Sequence, residues 1–293
     1  MSFTHTQQSF SNLLNDRLTH LVESRGVLGQ IQNGGRKGRQ GLDSLFVLRT
    51  ILEKSASSTP DLSLLFIDLS KAFDKVPHDL LWDKLIKMGC HPNFVRVLKA
   101  LYKDSYVTVL VNGWPSGKVF VRSGVKQGCP LSLLLFNLFL CDIGCMLEQS
   151  NIGTPIWGKI ISALLFVDDL VLIGRNKRMV EELLLKCLNQ FELCGIEINC
   201  SKSNILSREA VLDGKINLST DNGSLLGDIV LSQRYKYLGV TIGLGRTSDI
   251  FKQQRITIVS RLRSYAGLIL SLARESLDPI EVGEALWKSV ALE

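Results

Sequence analysis

The chain has 293 residues, 45% hydrophobic and 21% charged, with 34 basic against 28 acidic side chains for a formal charge of +6. This balance fills a sizeable core and excludes a disordered tail, while the mild basic excess suits a polyanionic partner. The seven cysteines lack the paired C-x-x-C spacing of a zinc site and read as reduced thiols. Met1-Ser2-Phe3-Thr4-His5 has neither the basic start nor the apolar stretch of a secretory signal, so an intracellular setting is expected.

Phe10, Leu13, Leu14, Leu18, Leu21 and Val22 recur at helical spacing and predict an amphipathic first helix, ended by Gly26 and Gly29. Arg36, Lys37 and Arg39 then stand among glycines, as a flexible basic arm able to approach a phosphate or as a solvated charge cluster. A second helix carries Leu42, Leu45, Phe46, Leu48, Ile51 and Leu52 and closes at Ser57-Ser58-Thr59-Pro60. The run Leu64-Leu65-Phe66-Ile67 reads as a strand ending in Asp68. Val76-Pro77-His78 turns into a helix that buries Leu80, Leu81, Leu85 and Met88, and Pro92 opens another through Tyr102. Val107, Val109 and Val111 alternate before Asn112-Gly113, a hairpin signal, with Val119 and Val121 on the returning strand. Leu131 to Leu147 is rich in Leu and Phe but carries Asn137 and Asp142. It is shorter than the ~20 apolar residues of a bilayer span, so it predicts a buried core helix and no membrane.

Leu164-Leu165-Phe166-Val167-Asp168-Asp169-Leu170-Val171-Leu172-Ile173 reads as two short strands meeting at a polar tip. Val180, Leu183, Leu184, Cys187, Leu188 and Phe191 then give a helical stripe, followed by a strand-like segment with Lys202 and a polar loop from Ser207 to Asn222. A small hairpin is expected to pair Ile229-Val230-Leu231 with Tyr237-Leu238-Gly239-Val240. Ile256, Val259, Leu262 and Leu268 predict a last helix whose Arg255, Arg261 and Arg263 face a nucleic-acid backbone or plain solvent.

An acid pair in a turn commonly serves only its own backbone. Two acidic strand ends carry more weight, because Asp68 set beside Asp168 and Asp169 would suit two divalent cations acting on a phosphoryl transfer. A P-loop ATPase is excluded, since Gly113-Trp114-Pro115-Ser116-Gly117-Lys118-Val119 has the wrong spacing and no hydroxyl after its lysine.

Phe66-Ile67-Asp68-Leu69-Ser70-Lys71-Ala72-Phe73-Asp74 with Val76-Pro77-His78 resembles motif A of reverse transcriptases. Ser123-Gly124-Val125-Lys126-Gln127-Gly128-Cys129-Pro130-Leu131-Ser132 resembles motif B, and Phe166-Val167-Asp168-Asp169 motif C. Gly195-Ile196-Glu197-Ile198-Asn199 with Lys202 resembles motif D, Tyr235-Lys236-Tyr237-Leu238-Gly239-Val240 motif E, and Gln32-Asn33-Gly34-Gly35-Arg36-Lys37-Gly38-Arg39 the fingers block before motif A. Order and spelling are in the style of non-LTR (LINE-type) retrotransposons. The resemblance implies an α+β, right-hand polymerase-like fingers and palm over residues 1–245, with an antiparallel palm sheet flanked by helices. The fingers would be incomplete at their N-terminus, and residues 246–293 would form a partial helical thumb.

The activity implied is that of an RNA-directed DNA polymerase, extending a DNA primer 3′-hydroxyl on an RNA template with deoxynucleoside triphosphates (dNTPs). Asp68, Asp168 and Asp169, with the Leu69 backbone carbonyl, would hold two Mg²⁺ ions, with Mn²⁺ a possible substitute. Phe73, Gln127, Gly128, Arg36, Arg39 and Lys202 would contact the nucleotide, Phe73 by excluding a 2′-hydroxyl. Tyr237, Leu238 and Gly239 would grip primer and template. Gly35 replaces an aromatic usual in the family, which should loosen the loop, and Leu133 stands where the family has proline. These departures and the missing fingers strands leave an alternative, a truncated and catalytically inactive relic that at most binds RNA.

Overall fold

The computed structural model describes residues 5–59, 61–103, 106–111, 113–126, 128–156, 158–208, 215–219 and 225–244. Its helices are α1 (His5–Ser24), α2 (Gly41–Ser58), α3 (Ala72–Lys75), α4 (His78–Lys87), α5 (Pro92–Lys103), α6 (Pro130–Gln149) and α7 (Lys177–Cys194). Its strands are β1 (Ser63–Ile67), β2 (Tyr106–Val107), β3 (Leu110–Val111), β4 (Trp114–Pro115), β5 (Val119–Phe120), β6 (Thr154–Ile156) and β7 (Lys159–Ile161). They continue with β8 (Ala163–Phe166), β9 (Asp169–Gly174), β10 (Asn204–Ser207), β11 (Lys215–Ser219), β12 (Leu225–Leu231), β13 (Arg234–Tyr237) and β14 (Val240–Gly243). The chain divides into two compact units, Met1–Ser232 and Gln233–Glu293.

The first unit is built on a six-stranded sheet in the order β11-β12-β10-β1-β9-β8. All five residues of β1 are buried, and because side chains alternate along a strand, both of its faces are covered. β1 pairs antiparallel with β9 on one side and β10 on the other, and the sheet's parallel pair is β10 with β12. The register sets Phe66 opposite Val171 and Ile67 opposite Leu170. The end of β1, where Asp68 emerges, therefore lies beside the start of β9 at Asp169.

α6 starts with a proline in its first turn, where the missing amide breaks no helical bond. It packs against α1, α4, α7 and β8. Its length and composition would let it cross a bilayer, yet 72% of its apolar window is buried inside this unit. Leu131, Leu135, Phe136 and Leu138 have no measurable exposure, each worth about 1.5–3 kcal/mol of apolar burial. α7 is bounded by local chemistry: the Asn176 side chain accepts from the Met179 amide, and Gly195 closes the helix in the left-handed region.

The strand pattern departs from the sequence reading in its last third. Residues 215–219, expected as loop, form the edge strand β11, in which Lys215 is exposed and Ile216 is buried. Ile229-Val230-Leu231 belongs to β12 in the main sheet, not to a hairpin with residues 237–240. The hairpin is β13 with β14, closed between Tyr237 and Val240 by Leu238 at φ +47° and Gly239 at φ +80°. Two positive φ values are what a two-residue primed turn requires. The hairpin expected around Asn112-Gly113 is divided into two short pairs, β2 with β5 and β3 with β4. The helix expected over residues 256–268 lies outside the described residues.

Candidate active site

Asp68 leaves β1 with its backbone held from both sides. Its amide donates to Ser203 Oγ at 3.0 Å, and its carbonyl accepts from the Asn199 amide at 2.8 Å. Ser203 is 1% exposed and donates its own hydroxyl proton to the Asn199 carbonyl at 2.9 Å. Next along, Leu69 and Ile198 form an antiparallel bridge, completed by the Ser70 amide donating to the Glu197 carbonyl. These bonds run through Asp68 and Ser70, so the Leu69 carbonyl takes no part in them. The segment that resembles motif D is thus the backing of motif A, and Lys202 stands exposed on that turn. Asn199 falls in the segment resembling motif D and Ser203 just after it, but the resemblance assigns neither of them a supporting role.

The opposing aspartates sit on the β8–β9 hairpin, where Phe166 pairs with Asp169. Val167 occupies the turn at φ +60°, a conformation that a β-branched residue takes only at a cost of about 1–3 kcal/mol. Gln32 holds it there. The Val167 amide donates to Gln32 Oε1 at 3.0 Å, the Gly34 amide donates to the same oxygen at 2.9 Å, and Gln32 Nε2 lies 3.5 Å from the Val167 carbonyl. On either side, the Leu165 amide donates to the Ile31 carbonyl and the Asn33 amide to the Leu165 carbonyl, both at 2.9 Å. From α6, Asn137 Nδ2 donates to the Gly34 carbonyl at 2.8 Å. A Cβ on Gly34 would stand 2.5 Å from the Val167 amide nitrogen, so a side chain there would displace the tip. Gln32 and Gly34 fall inside the recognised fingers block, but their hold on the distant hairpin is visible only in three dimensions.

Asp68, Asp168 and Asp169 are half-buried. Burial raises the Asp168 carboxyl, its own backbone amide offsets part of that, and the charge on Asp68 adds to the rise. Asp169 is pushed up to about 6, first by burial and then by the charges of Asp168 and Asp68. Among the described residues none of the three is in an ion pair. Among the same residues no three His, Cys, Asp or Glu side chains already surround one point as metal ligands. Hard, partly dehydrated oxygens that repel one another fit Mg²⁺, which takes one or two carboxylates and completes its shell with water and substrate phosphates.

Phe73 on α3 is half-buried and stacks on Phe136 of α6, with centroids 4.3 Å apart and planes 13° from parallel. Gly124 has φ +89°, and a Cβ there would meet the Asp74 carbonyl at 2.8 Å, while the Val125 amide donates to the Phe73 carbonyl. The loop resembling motif B is therefore laid directly on motif A. Gly128 is exposed at φ +81°, and Gln127 lies outside the described residues. Tyr237, Leu238 and Gly239 form the tip of the second unit's hairpin, with Tyr237 2% exposed.

The basic loop is not the flexible arm its glycines suggest. Arg36 pairs with Glu23 at 2.6 Å and donates to the Gly29 and Gln32 carbonyls, leaving its side chain 7% exposed. Arg39 donates to the Gln30 carbonyl at 2.7 Å, to Gln30 Oε1 at 2.7 Å and to Asn33 Oδ1 at 3.0 Å. Both guanidiniums are turned into the loop, because its carbonyls need donors once Gln32 and Asn33 are buried. Gly35 does not loosen the loop either. A Cβ on it would stand 2.5 Å from Leu133 Cδ2, so the leucine fills the space beside it.

One aspartate at a strand end beside an Asp-Asp hairpin, on a mainly antiparallel sheet walled by helices, defines the palm of a template-directed polymerase. Residues 4–242 match the family model described as "Reverse transcriptase (RNA-dependent DNA polymerase)". The chain belongs to that family, in its non-LTR retrotransposon branch. It is 30% identical over 241 residues to the "Retrovirus-related Pol polyprotein from type-1 retrotransposable element R2" of Popillia japonica, covering 78% of this chain and 34% of the polyprotein. It is 27% identical over 249 residues to the "Transposon TX1 uncharacterized 149 kDa protein" of Xenopus laevis, covering 82% of this chain and 18% of that protein. The chain thus spans about a third or less of the length of these relatives. Among solved structures, telomerase from Candida tropicalis in complex with a TWJ fragment of telomeric RNA superposes with a TM-score of 0.56. That match has 16% identity and covers 98% of this chain and 45% of the telomerase chain, a likeness of fold. Reverse transcriptases as a family act with divalent metal ions on a nucleic-acid template.

Proposed function

We propose that this chain carries the nucleotidyl-transfer centre of an RNA-directed DNA polymerase, extending a DNA primer on an RNA template with dNTPs. The observation that supports it most is the β1–β9 register, which sets Asp68 beside a hairpin bearing Asp168 and Asp169 with no ion pair to any of them among the described residues. Two Mg²⁺ ions, or Mn²⁺ in their place, held by these carboxylates and the Leu69 carbonyl would supply Lewis acidity at the 3′-hydroxyl and charge neutralisation at the triphosphate. The protein's own part is positioning. The Asn199–Ser203 turn holds Asp68, Gln32 holds the hairpin tip, and Phe73, braced on Phe136, lies under the incoming sugar and excludes a 2′-hydroxyl. Gln127 and Gly128 would serve to contact the base and sugar-phosphate frame, Lys202 provides a cation or proton for the leaving pyrophosphate, and Tyr237, Leu238 and Gly239 hold the primer end. Arg36 and Arg39, tied into their loop, act by keeping it rigid. We place the protein inside the cell, where its seven free thiols would stay reduced.

The test is extension of a DNA primer annealed to RNA, with purified chain and Mg²⁺, beside Asp168→Asn. Extension by the parent and its loss in the variant are expected. Equal extension by the variant would refute the placement of the centre, and none from folded parent would favour the inactive relic.

A further inference from the structure

Away from the aspartates, α4 and α5 with the segment Val121-Arg122 enclose a cleft of about 490 Å³. Its floor is aromatic. His78, Trp82 and Tyr102 lie with ring centroids 5.2–5.8 Å apart, and Trp82 and Tyr102 are each 4% exposed. Its rim is cationic. Arg96, Lys99 and Lys103 follow at i, i+3 and i+7 along one face of α5, and Arg122 comes from a different segment. All four are exposed, the lining offers a single carboxylate, Asp79, and none of the four cations is in an ion pair among the described residues. Like charges at this spacing destabilise a helix, and the repulsion is relieved when phosphates lie along the rim.

We infer that this cleft is a second nucleic-acid site, which takes the sugar-phosphate backbone of a single-stranded RNA segment outside the catalytic centre. Arg96 to Lys103 spans about 10 Å of helix axis, the length of roughly three phosphates of a stacked strand. The cleft has the volume of a nucleotide-sized pocket, concave and walled on two sides. RNA is specified because only a short stretch of template is copied at a time, which leaves uncopied single-stranded RNA beside the cationic rim; this choice rests on the polymerase reading. The floor also touches the loop that resembles motif B, with His78 Nε2 2.8 Å from the Gly124 carbonyl oxygen, so an RNA lodged here is held one hydrogen bond from the nucleotide side of the palm.

The experiment saturates the catalytic centre with an unlabelled RNA–DNA hybrid and titrates a short fluorescein-labelled single-stranded RNA by anisotropy. It compares the parent, a Lys99→Glu/Lys103→Glu variant, and Arg122→Glu, whose change lies off α5 and leaves that helix intact. Both variants should bind about tenfold or more weakly, with the log-affinity against log-salt slope shallower by roughly 0.7 per lost phosphate contact. Extension of a short pre-annealed primer–template should be unchanged. Unchanged affinity and slope in Arg122→Glu would overturn the site. So would extension falling in step with binding, which would make the cleft part of the template path, or competition by equal amounts of single-stranded DNA or inorganic phosphate, which would make it a general anion trap. Asp168→Asn should bind the labelled RNA as the parent does, and a failure of the polymerase reading would appear as no extension by the folded parent with this binding kept.

Discussion

Replacing Gln32 with methionine keeps the side-chain volume and removes the hydrogen bonds that hold the hairpin tip. Gln32 is 2% exposed, so the change strands two amides, the buried one of Gly34 and the half-buried one of Val167. Each such loss costs about 1–3 kcal/mol. Part returns if the tip opens, since Val167 then leaves its left-handed conformation and sheds strain of about 1–3 kcal/mol. The net expectation is a loss of about 2–3 kcal/mol, which for a chain of this size lowers Tm by on the order of 5–10 °C. The kinetic effect is larger, because an opened tip moves Asp168 and Asp169, and a shift of about 1 Å in a reacting group costs about 10²-fold. The assay is steady-state primer extension well below the melting range, with dNTP and Mg²⁺ titrated separately. kcat should fall about 10²-fold and half-saturation by Mg²⁺ should rise, with KM for dNTP nearly unchanged. Val167→Gly supplies the control, since glycine takes φ +60° without strain. In that background Gln32→Met should cost clearly less in kcat. A stability loss with kcat unchanged, or equal kcat losses in both backgrounds, would refute the clamp.

Asp169→Asn should remove activity yet stabilise the chain when divalent ions are chelated. The folded-state value near 6 lies above the ordinary 3.8, so the group favours the folded state most below pH 3.8 and loses that contribution as pH rises through about 6. At pH 7.5 the gain is on the order of 1–2 kcal/mol after discounting for solvent, read as a higher Tm in EDTA that converges on the parent near pH 4; a lower Tm at pH 7.5 contradicts it. Phe73→Ala should relax sugar discrimination, raising ribonucleotide incorporation on the order of tenfold relative to deoxynucleotides, and an unchanged ratio counts against Phe73 as the barrier. Gly35→Ala forces a side chain into φ +67° and against Leu133, for a cost of about 1–3 kcal/mol. In a Leu133→Ala background only the backbone part, about 1 kcal/mol, should remain, and strictly additive melting shifts would separate the two positions.

What was legible in the sequence follows from which interactions are local. The stripe of α4 recurs at helical spacing, with Leu81 and Leu85 buried though Leu80 is exposed, and the nearly unbroken apolar runs of α6, β1 and β9 mark segments covered all round, so these announce burial without reference to a partner. Asp68, Asp168 and Asp169 stood out as charges ending apolar strands. β11 was missed because a polar edge strand lacks alternation, and β12, expected as a strand over Ile229 to Leu231, was given the wrong partner because pairing depends on neighbours elsewhere in the chain. Gln32, Asn199 and Ser203 were missed for a related reason. Each acts through hydrogen bonds to a backbone more than a hundred residues away, and no spacing rule within one segment encodes such a contact. Arg36 and Arg39 show the opposite failure: a basic loop suggested a reach for phosphate, whereas nearby carbonyls and Glu23 take their donors.

The two spelling changes that suggested decay read differently once folded. Gly35 lacks an aromatic side chain and Leu133 lacks the proline ring, but the leucine occupies the space a residue 35 side chain would need, so loop and helix remain packed. Several features that oppose stability meet at the hairpin tip: a valine in left-handed backbone, Asp168 and Asp169 carboxyls raised by burial and by neighbouring charge, and a glycine pressed against the tip. Local preference and tertiary structure agree at the capped ends of α7 and in the fully buried β1. Folded proteins break local rules mainly where a site requires it and compensate around it. Here the compensation is visible as the Gln32 clamp, the Asn137 bond to Gly34 and the Asn199–Ser203 turn. Supports of that kind hold the three carboxylates in fixed positions, which is the positioning that the proposed nucleotidyl transfer requires.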